Sequence, residues 1–151
     1  MTNLAKFSHL SMQDQLLIVR VLTLILTIKV GLRLVPFRLM RHIVARTAIP
    51  ARISLGCYSL ERITWAVHVV GRRFTTNCLV QAITAYILLR RHGHPANLRI
   101  GVQYDNDRSF AAHAWVESQA YVVIGALPDL SRYTALPDVL PLPLRNQRKE
   151  P

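Results

Sequence analysis

At 151 residues the chain has enough material for one domain, or for one small domain with a helical appendage, and its 51% apolar content excludes an intrinsically disordered protein. A formal net charge of +11 and a pI near 10.8 favour acidic partners such as nucleic acid, anionic lipid or a carboxylate-rich peptide, and charge alone does not choose among them. The two cysteines, Cys57 and Cys78, form no CxxC pair and no Cys/His cluster with zinc spacing, so a metal centre and a disulfide framework are not expected.

Met1 to Leu10 carries Lys6 and His9 without an apolar core, so no signal peptide is expected, and the reduced thiols imply a cytoplasmic protein. Ser11-Met12-Gln13-Asp14 reads as a capping box with Asp in place of Glu, and it opens a long apolar helix from Leu16 to about Leu34. Arg20, Lys29 and Arg33 leave only Val21 to Ile28 uninterrupted, short of the roughly 20 residues a bilayer requires. The expectation is therefore a buried helix with a narrow stripe formed by Arg20, Thr23, Thr27 and Gly31.

Pro36 ends that helix, and Phe37, Met40, Ile43 and Val44 predict a shorter one before Pro50. Arg33, Arg38, Arg41 and Arg46 make the region basic, either as a docking surface for an acidic peptide or partner or as a solvated face over apolar stems. Leu60, Ile63, Val67 and Val70 predict a third helix ending at Gly71, preceded by Cys57, which reads as structural.

The informative stretch follows. Thr76 or Asn77 can cap a helix in which Leu79, Ile83, Tyr86 and Ile87 mark one buried face, running to Arg90-Arg91 and stopping at Gly93. Cys78 then sits in the first turn, where unpaired N–H groups and the positive end of the helix dipole favour thiolate over thiol. A small buried core residue is the competing reading of any free cysteine. Leu98, Ile100 and Val102 alternate as a strand, and Asp105-Asn106-Asp107 reads as a hairpin loop rather than a calcium site, whose further acidic ligands it lacks.

In the next strand Ala112, Ala114 and Val116 alternate with His113, Trp115 and Glu117, so one face packs and the other carries His113. A neutral imidazole near Cys78 could take the thiol proton and return it to a leaving amine. Trp115, on the same face, either walls the cleft or belongs to the core. Gln81 could donate to an oxyanion or occupy an exposed helix position, and the backbone N–H of Cys78 is the safer oxyanion donor.

Tyr121 to Ile124 predicts a third strand. Beyond it Asp129 is the chosen partner for the second imidazole nitrogen, with a turn residue as its alternative; Glu117 is the rival, about 13 Å along the strand from His113. His68, His92 and His94 read as surface or capping residues. Helices followed by a small antiparallel sheet give the order of an α+β, papain-like or transglutaminase-like core. The expected organisation is a helical segment over 1–50, a cysteine protease domain over 51–137 and a Pro-rich extended or disordered tail over 138–151.

Phe74 to Ala82, Leu88 to Ala96, Ile100-Gly101-Val102 and Phe110 to Glu117 together resemble the transglutaminase-like leader peptidases of lasso-peptide biosynthesis. The resemblance spans about Ile63 to Leu136, and the leucine-rich N-terminal segment is also like that family's. It implies a cysteine protease that removes the leader of a ribosomally made precursor peptide, after which a separate ATP-dependent cyclase closes the macrolactam. It also implies a PqqD-like partner that binds the leader, no cofactor, and catalytic roles for Cys78 and His113. The family's triad includes an Asp soon after the His strand; that position falls near Gly125 here, and Asp129 is the candidate for it. Amine-accepting acyl transfer through the same thioester is the alternative within enzymes. A nucleic-acid-binding module is disfavoured because the arginines lie among apolar helices without interleaved aromatic residues. A noncatalytic scaffold would function without Cys78.

Overall fold

The computed structural model describes residues 11–48, 58–104 and 110–137. Cys57, the loop at Asp105-Asn106-Asp107, the segment before Ser11, the expected boundary at 50 and the tail over 138–151 lie outside the described residues. Four helices precede a four-stranded antiparallel sheet: α1 (Met12–Leu34), α2 (Phe37–Thr47), α3 (Leu60–Arg73), α4 (Cys78–Arg91), β1 (Asn97–Tyr104), β2 (Phe110–Ser118), β3 (Tyr121–Ile124) and β4 (Thr134–Ala135).

The α1 start forms as its sequence dictates. The Ser11 hydroxyl accepts from the Asp14 amide and donates to the Asp14 carboxylate at 2.7 Å. That carboxylate is then gripped by Arg62, with Nε and Nη2 donating at 2.7 and 2.6 Å, which ties the start of α1 to the start of α3. The Tyr58 hydroxyl adds a bond to the Gln13 carbonyl.

Leu17, Val21 and Ile25 are fully buried, and with Ile18 and Ile28 they put one face of α1 into the core. The opposite face is exposed, contrary to the expectation of a helix covered on most sides. By length and composition α1 is also apolar enough to cross a membrane, with a mean hydropathy of 2.0 over 18 residues, so its basic residues do not exclude a span by themselves. In α2, Met40 and Val44 are buried while Ile43 points outward, and the Met40 methyl fills the space that the missing side chain of Gly31 leaves on α1. α3 buries Ile63, Ala66, Val67 and Val70 and continues past Gly71 to Arg73.

The central element is α4. A single buried face was expected of it, yet Val80 and Ala82 through Leu89 are all buried. It packs against α1, α2 and α3 and against β1, β2 and β3, so a one-sided stripe would be insufficient. Thr84, wholly buried, satisfies its hydroxyl on the Val80 carbonyl at 2.7 Å. One hydrophobic cluster includes Leu17 of α1, Val44 of α2, Val67 of α3, Ile83 of α4, Leu98 of β1 and Val116 of β2.

The sheet order is β3-β2-β1-β4. β1 and β2 pair from Asn97↔Glu117 to Tyr104↔Phe110, which sets Leu98 beside Val116 and Ile100 beside Ala114 on the helix-facing side. A two-residue turn joins β2 to β3, with Gln119 and Ala120 both at positive φ, the backbone of a type I′ hairpin. The register slips between Val116 and Glu117, leaving Val123 as an extra residue on β3. From the β3 edge the chain crosses through a short 3₁₀ turn, Leu130–Arg132, to β4 on the far side of β1. That crossing determines what covers the His113 face.

Replacing Ile25 with Ala should destabilise the fold by about 2–5 kcal/mol, measured by denaturant unfolding, because its site is enclosed. Bonds from Arg62, then from Ser11, hold the Asp14 carboxyl below its ordinary value of 3.8. A depressed carboxylate contributes stability above that ordinary value and loses it as pH falls through the lowered one. Asp14→Asn should therefore lower the melting temperature at neutral pH, and its difference from the unmodified chain should shrink as the pH is taken below about 4.

Candidate active site

Cys78 is the first residue of α4, and the turn before it is built to hold it there. Asn77 caps the helix, its side chain accepting from the Val80 amide at 3.0 Å. Thr75 adopts a left-handed backbone, φ 44°, which few non-glycine residues take without local support. The support is visible: the Thr76 amide and hydroxyl both donate to the Gly71 carbonyl at 3.2 Å, and Gln81 Nε2 donates to the Thr76 carbonyl at 2.8 Å. The lack of a side chain at Gly71 makes room for Gln81, whose atoms would lie within 2.6 Å of any Cβ there.

The thiol of Cys78, partly buried, borders a cavity of about 250 Å³ shared with His68, Gln81, His113 and the segment 123–126. Cys78 and His113 thus meet at one cavity although 35 residues separate them in sequence. In this geometry the thiol and the ring are not hydrogen-bonded to each other; pairs of this kind commonly tighten only around substrate.

The imidazole itself is tightly held. His113 Nε2 lies 2.8 Å from the Gly125 carbonyl oxygen, which can only accept, so the neutral ring carries its proton on Nε2 and leaves Nδ1 as the basic nitrogen. The Trp115 ring stacks beside it, centroids 6.3 Å apart and planes 14° from parallel, and Tyr133 from the crossing segment lies at 5.7 Å. Trp115 is fixed in turn, because its Nε1 donates to Glu117 at 2.8 Å and Glu117 also accepts from Arg99. Gly125 has φ +78°, and a Cβ there would come within 2.7 Å of the Ala114 carbonyl, so only glycine lets this backbone lie against β2 and present its oxygen to the ring.

Of the residues singled out from sequence, the structure brings Cys78, His113 and Gln81 to the same cavity. Gln81 spends an amide hydrogen on the turn before Cys78, so its visible work is to hold the backbone that leads into α4. Trp115 is 4% exposed and stands behind the imidazole rather than on the cavity wall. Asp129 is exposed, begins the 3₁₀ turn through its own carbonyl, and neither borders the cavity nor bonds to His113. Glu117, the rival acid, reaches the imidazole only through Trp115.

Two groups at the cavity are not visible from sequence. The Gly125 carbonyl occupies the place where an acidic side chain was sought, and sequence reasoning does not see a backbone oxygen. His68, expected as a surface or capping residue, is exposed at the rim, with Nδ1 on the Thr64 carbonyl at 3.1 Å, and it lines the cavity. No local motif marks it, because His68 on α3 and Cys78 on α4 come to one cavity only in the folded chain.

The resulting arrangement offers a thiol at a helix start, a basic nitrogen aimed by a carbonyl, and first-turn N–H groups that can receive developing negative charge. Among the described residues no group of three or more His, Cys, Asp or Glu side chains is placed to hold a metal ion. A family model described as Transglutaminase-like superfamily matches residues 22–138, starting within α1 and ending just past β4. No curated protein and no solved structure matches the chain.

If His113 serves the Cys78 sulfur, His113→Ala should slow iodoacetamide alkylation of Cys78 roughly tenfold at neutral pH, since the thiolate is the reactive form. Mass spectrometry of the Cys78 peptide checks this, and an unchanged rate would separate the two residues functionally.

Proposed function

Because the chain belongs to the transglutaminase-like superfamily, whose members carry out cysteine peptidase or acyl-transfer chemistry, we propose that it is a cysteine peptidase removing the leader from a ribosomally made precursor peptide during lasso-peptide maturation. The observation that carries the chemistry is the convergence of Cys78 and His113 on one cavity, with the second nitrogen of the imidazole already occupied by the Gly125 carbonyl. The leader-peptidase assignment is supported by the motifs around Cys78 and His113 described above.

In this reading His113 Nδ1 takes the Cys78 proton and the thiolate attacks the scissile carbonyl carbon. The carbon–sulfur bond forms as the carbonyl electron pair moves to oxygen, where the Cys78 amide N–H can receive it. The imidazolium then gives its proton to the departing amine as the carbon–nitrogen bond breaks, leaving a thioester on Cys78. Water, deprotonated by the same ring, attacks the thioester; the carboxylic acid departs and the thiol is restored.

The Gly125 carbonyl keeps the ring in the tautomer this cycle needs and stabilises it when it becomes charged, the orienting work an acid does in other triads. Trp115 and Glu117 hold the ring plane. Recognition of the leader falls to a PqqD-like partner, and the shortened peptide passes to an ATP-dependent cyclase. A reducing compartment, as in the cytoplasm, keeps the Cys78 thiol available.

Incubating the chain and its leader-binding partner with the precursor should give two fragments whose masses sum to the precursor plus one water, and Cys78→Ala should abolish them while leaving the circular dichroism melt unchanged. Retained cleavage by that variant would overturn the mechanism. A product lacking the added water and joined to an amine would identify acyl transfer instead.

A further inference from the structure

The cavity accounts for one end of α4 but not for the outer face of α1. Met12, Leu16, Val19, Leu26, Val30 and Leu34 are between 49% and 77% exposed. At 3.6 residues per turn these six fall within an arc of about 80°, running the whole length of a helix about 34 Å long. Thr23 and Thr27 lie in or beside the arc, and each spends its hydroxyl on the backbone of the preceding turn, on Val19 at 2.9 Å and Thr23 at 2.8 Å. The arc therefore asks nothing of a polar partner.

Its borders are basic on both sides, with Arg33 and Lys29 along one and Arg20 along the other. The single acid of α1, Asp14, points inward to Arg62. On α2, Leu39 and Ile43 are exposed as well, as are Arg38 and Arg46.

We propose that this face of α1 lies flat on an anionic membrane surface, its apolar arc entering the acyl boundary and Arg20, Lys29 and Arg33 reaching lipid phosphates. An apolar strip with cationic edges and no acid matches a layer whose charge lies at the headgroups and whose interior is hydrocarbon. The chain's net charge of +11 acts in the same direction. The helix lies on the membrane rather than spanning it, because Leu17, Val21 and Ile25 on its inner face are committed to the core shared with α4. Crossing would strip that cover from α4 and with it the anchorage of Cys78. Adsorption leaves the inner face in place.

Sedimentation of the full-length chain with vesicles tests this. Binding to phosphatidylglycerol-containing vesicles should exceed binding to pure phosphatidylcholine roughly tenfold or more and should weaken in high salt. Leu26→Glu combined with Val30→Glu should reduce that binding at least about tenfold without changing the melting temperature, both sites being exposed. Should that variant fail to fold, Arg20→Gln/Lys29→Gln/Arg33→Gln keeps the apolar arc and should lose the preference for anionic vesicles alone. Absence of binding, or binding equal in these variants, overturns the proposal. So does a wild-type dimer in size-exclusion chromatography that the double glutamate variant dissociates, since a second copy would then cover the arc.

Discussion

The structure depends on α4 being enclosed. From Ala82 to Leu89 its residues are buried all the way round, and no single neighbour can cover a helix of that kind. Three helices on one side and the sheet on the other are the response, and because they grip α4 along its length they also fix where its first turn emerges. Cys78 is that first turn. The position of the sulfur is therefore decided less by its immediate neighbours than by the packing of residues one to three turns away.

The imidazole is fixed by a different means. His113 sits on the sheet face turned away from the α4 core, where shape must come from what the chain lays over it. The segment from Gly125 to Tyr133, crossing from one sheet edge to the other, supplies a carbonyl at one nitrogen and an aromatic ring nearby. Glu117 orders Trp115, and Trp115 orders the imidazole, so the acid acts at one remove. A glycine at the pivot is the condition for all of this, since any Cβ at Gly125 would strike β2. The register shift on β3 just before it helps bring Val123 and Ile124 to the cavity edge.

α1 joins the two halves of this picture. Its inner face completes the cover of α4, and its start is locked to α3 through Asp14 and Arg62. Its outer face is equally apolar, which is why the sequence reads as a helix that must be surrounded. The same composition serves two surfaces, one resolved inside the chain and one left outward between basic borders.

The sequence by itself determined what is local. Capping at Ser11 and Asn77, the alternation of the His113 strand, the helix start at Cys78 and the order of helices before sheet all depend on residues a few positions apart, and each was legible there. Asp129 was the reverse case: an acid at a reasonable distance along the chain, placed by folding on the exposed side of a short turn. Only the tertiary structure could choose the Gly125 carbonyl as the partner of His113, place His68 at the cavity rim and show α4 enclosed while α1 is half open. The reason is physical: every backbone carbonyl looks alike in a sequence, and which one meets a given ring depends on a chain crossing and a bulge. Burial on all sides likewise depends on how many neighbours arrive, a property of the assembled fold rather than of the helix.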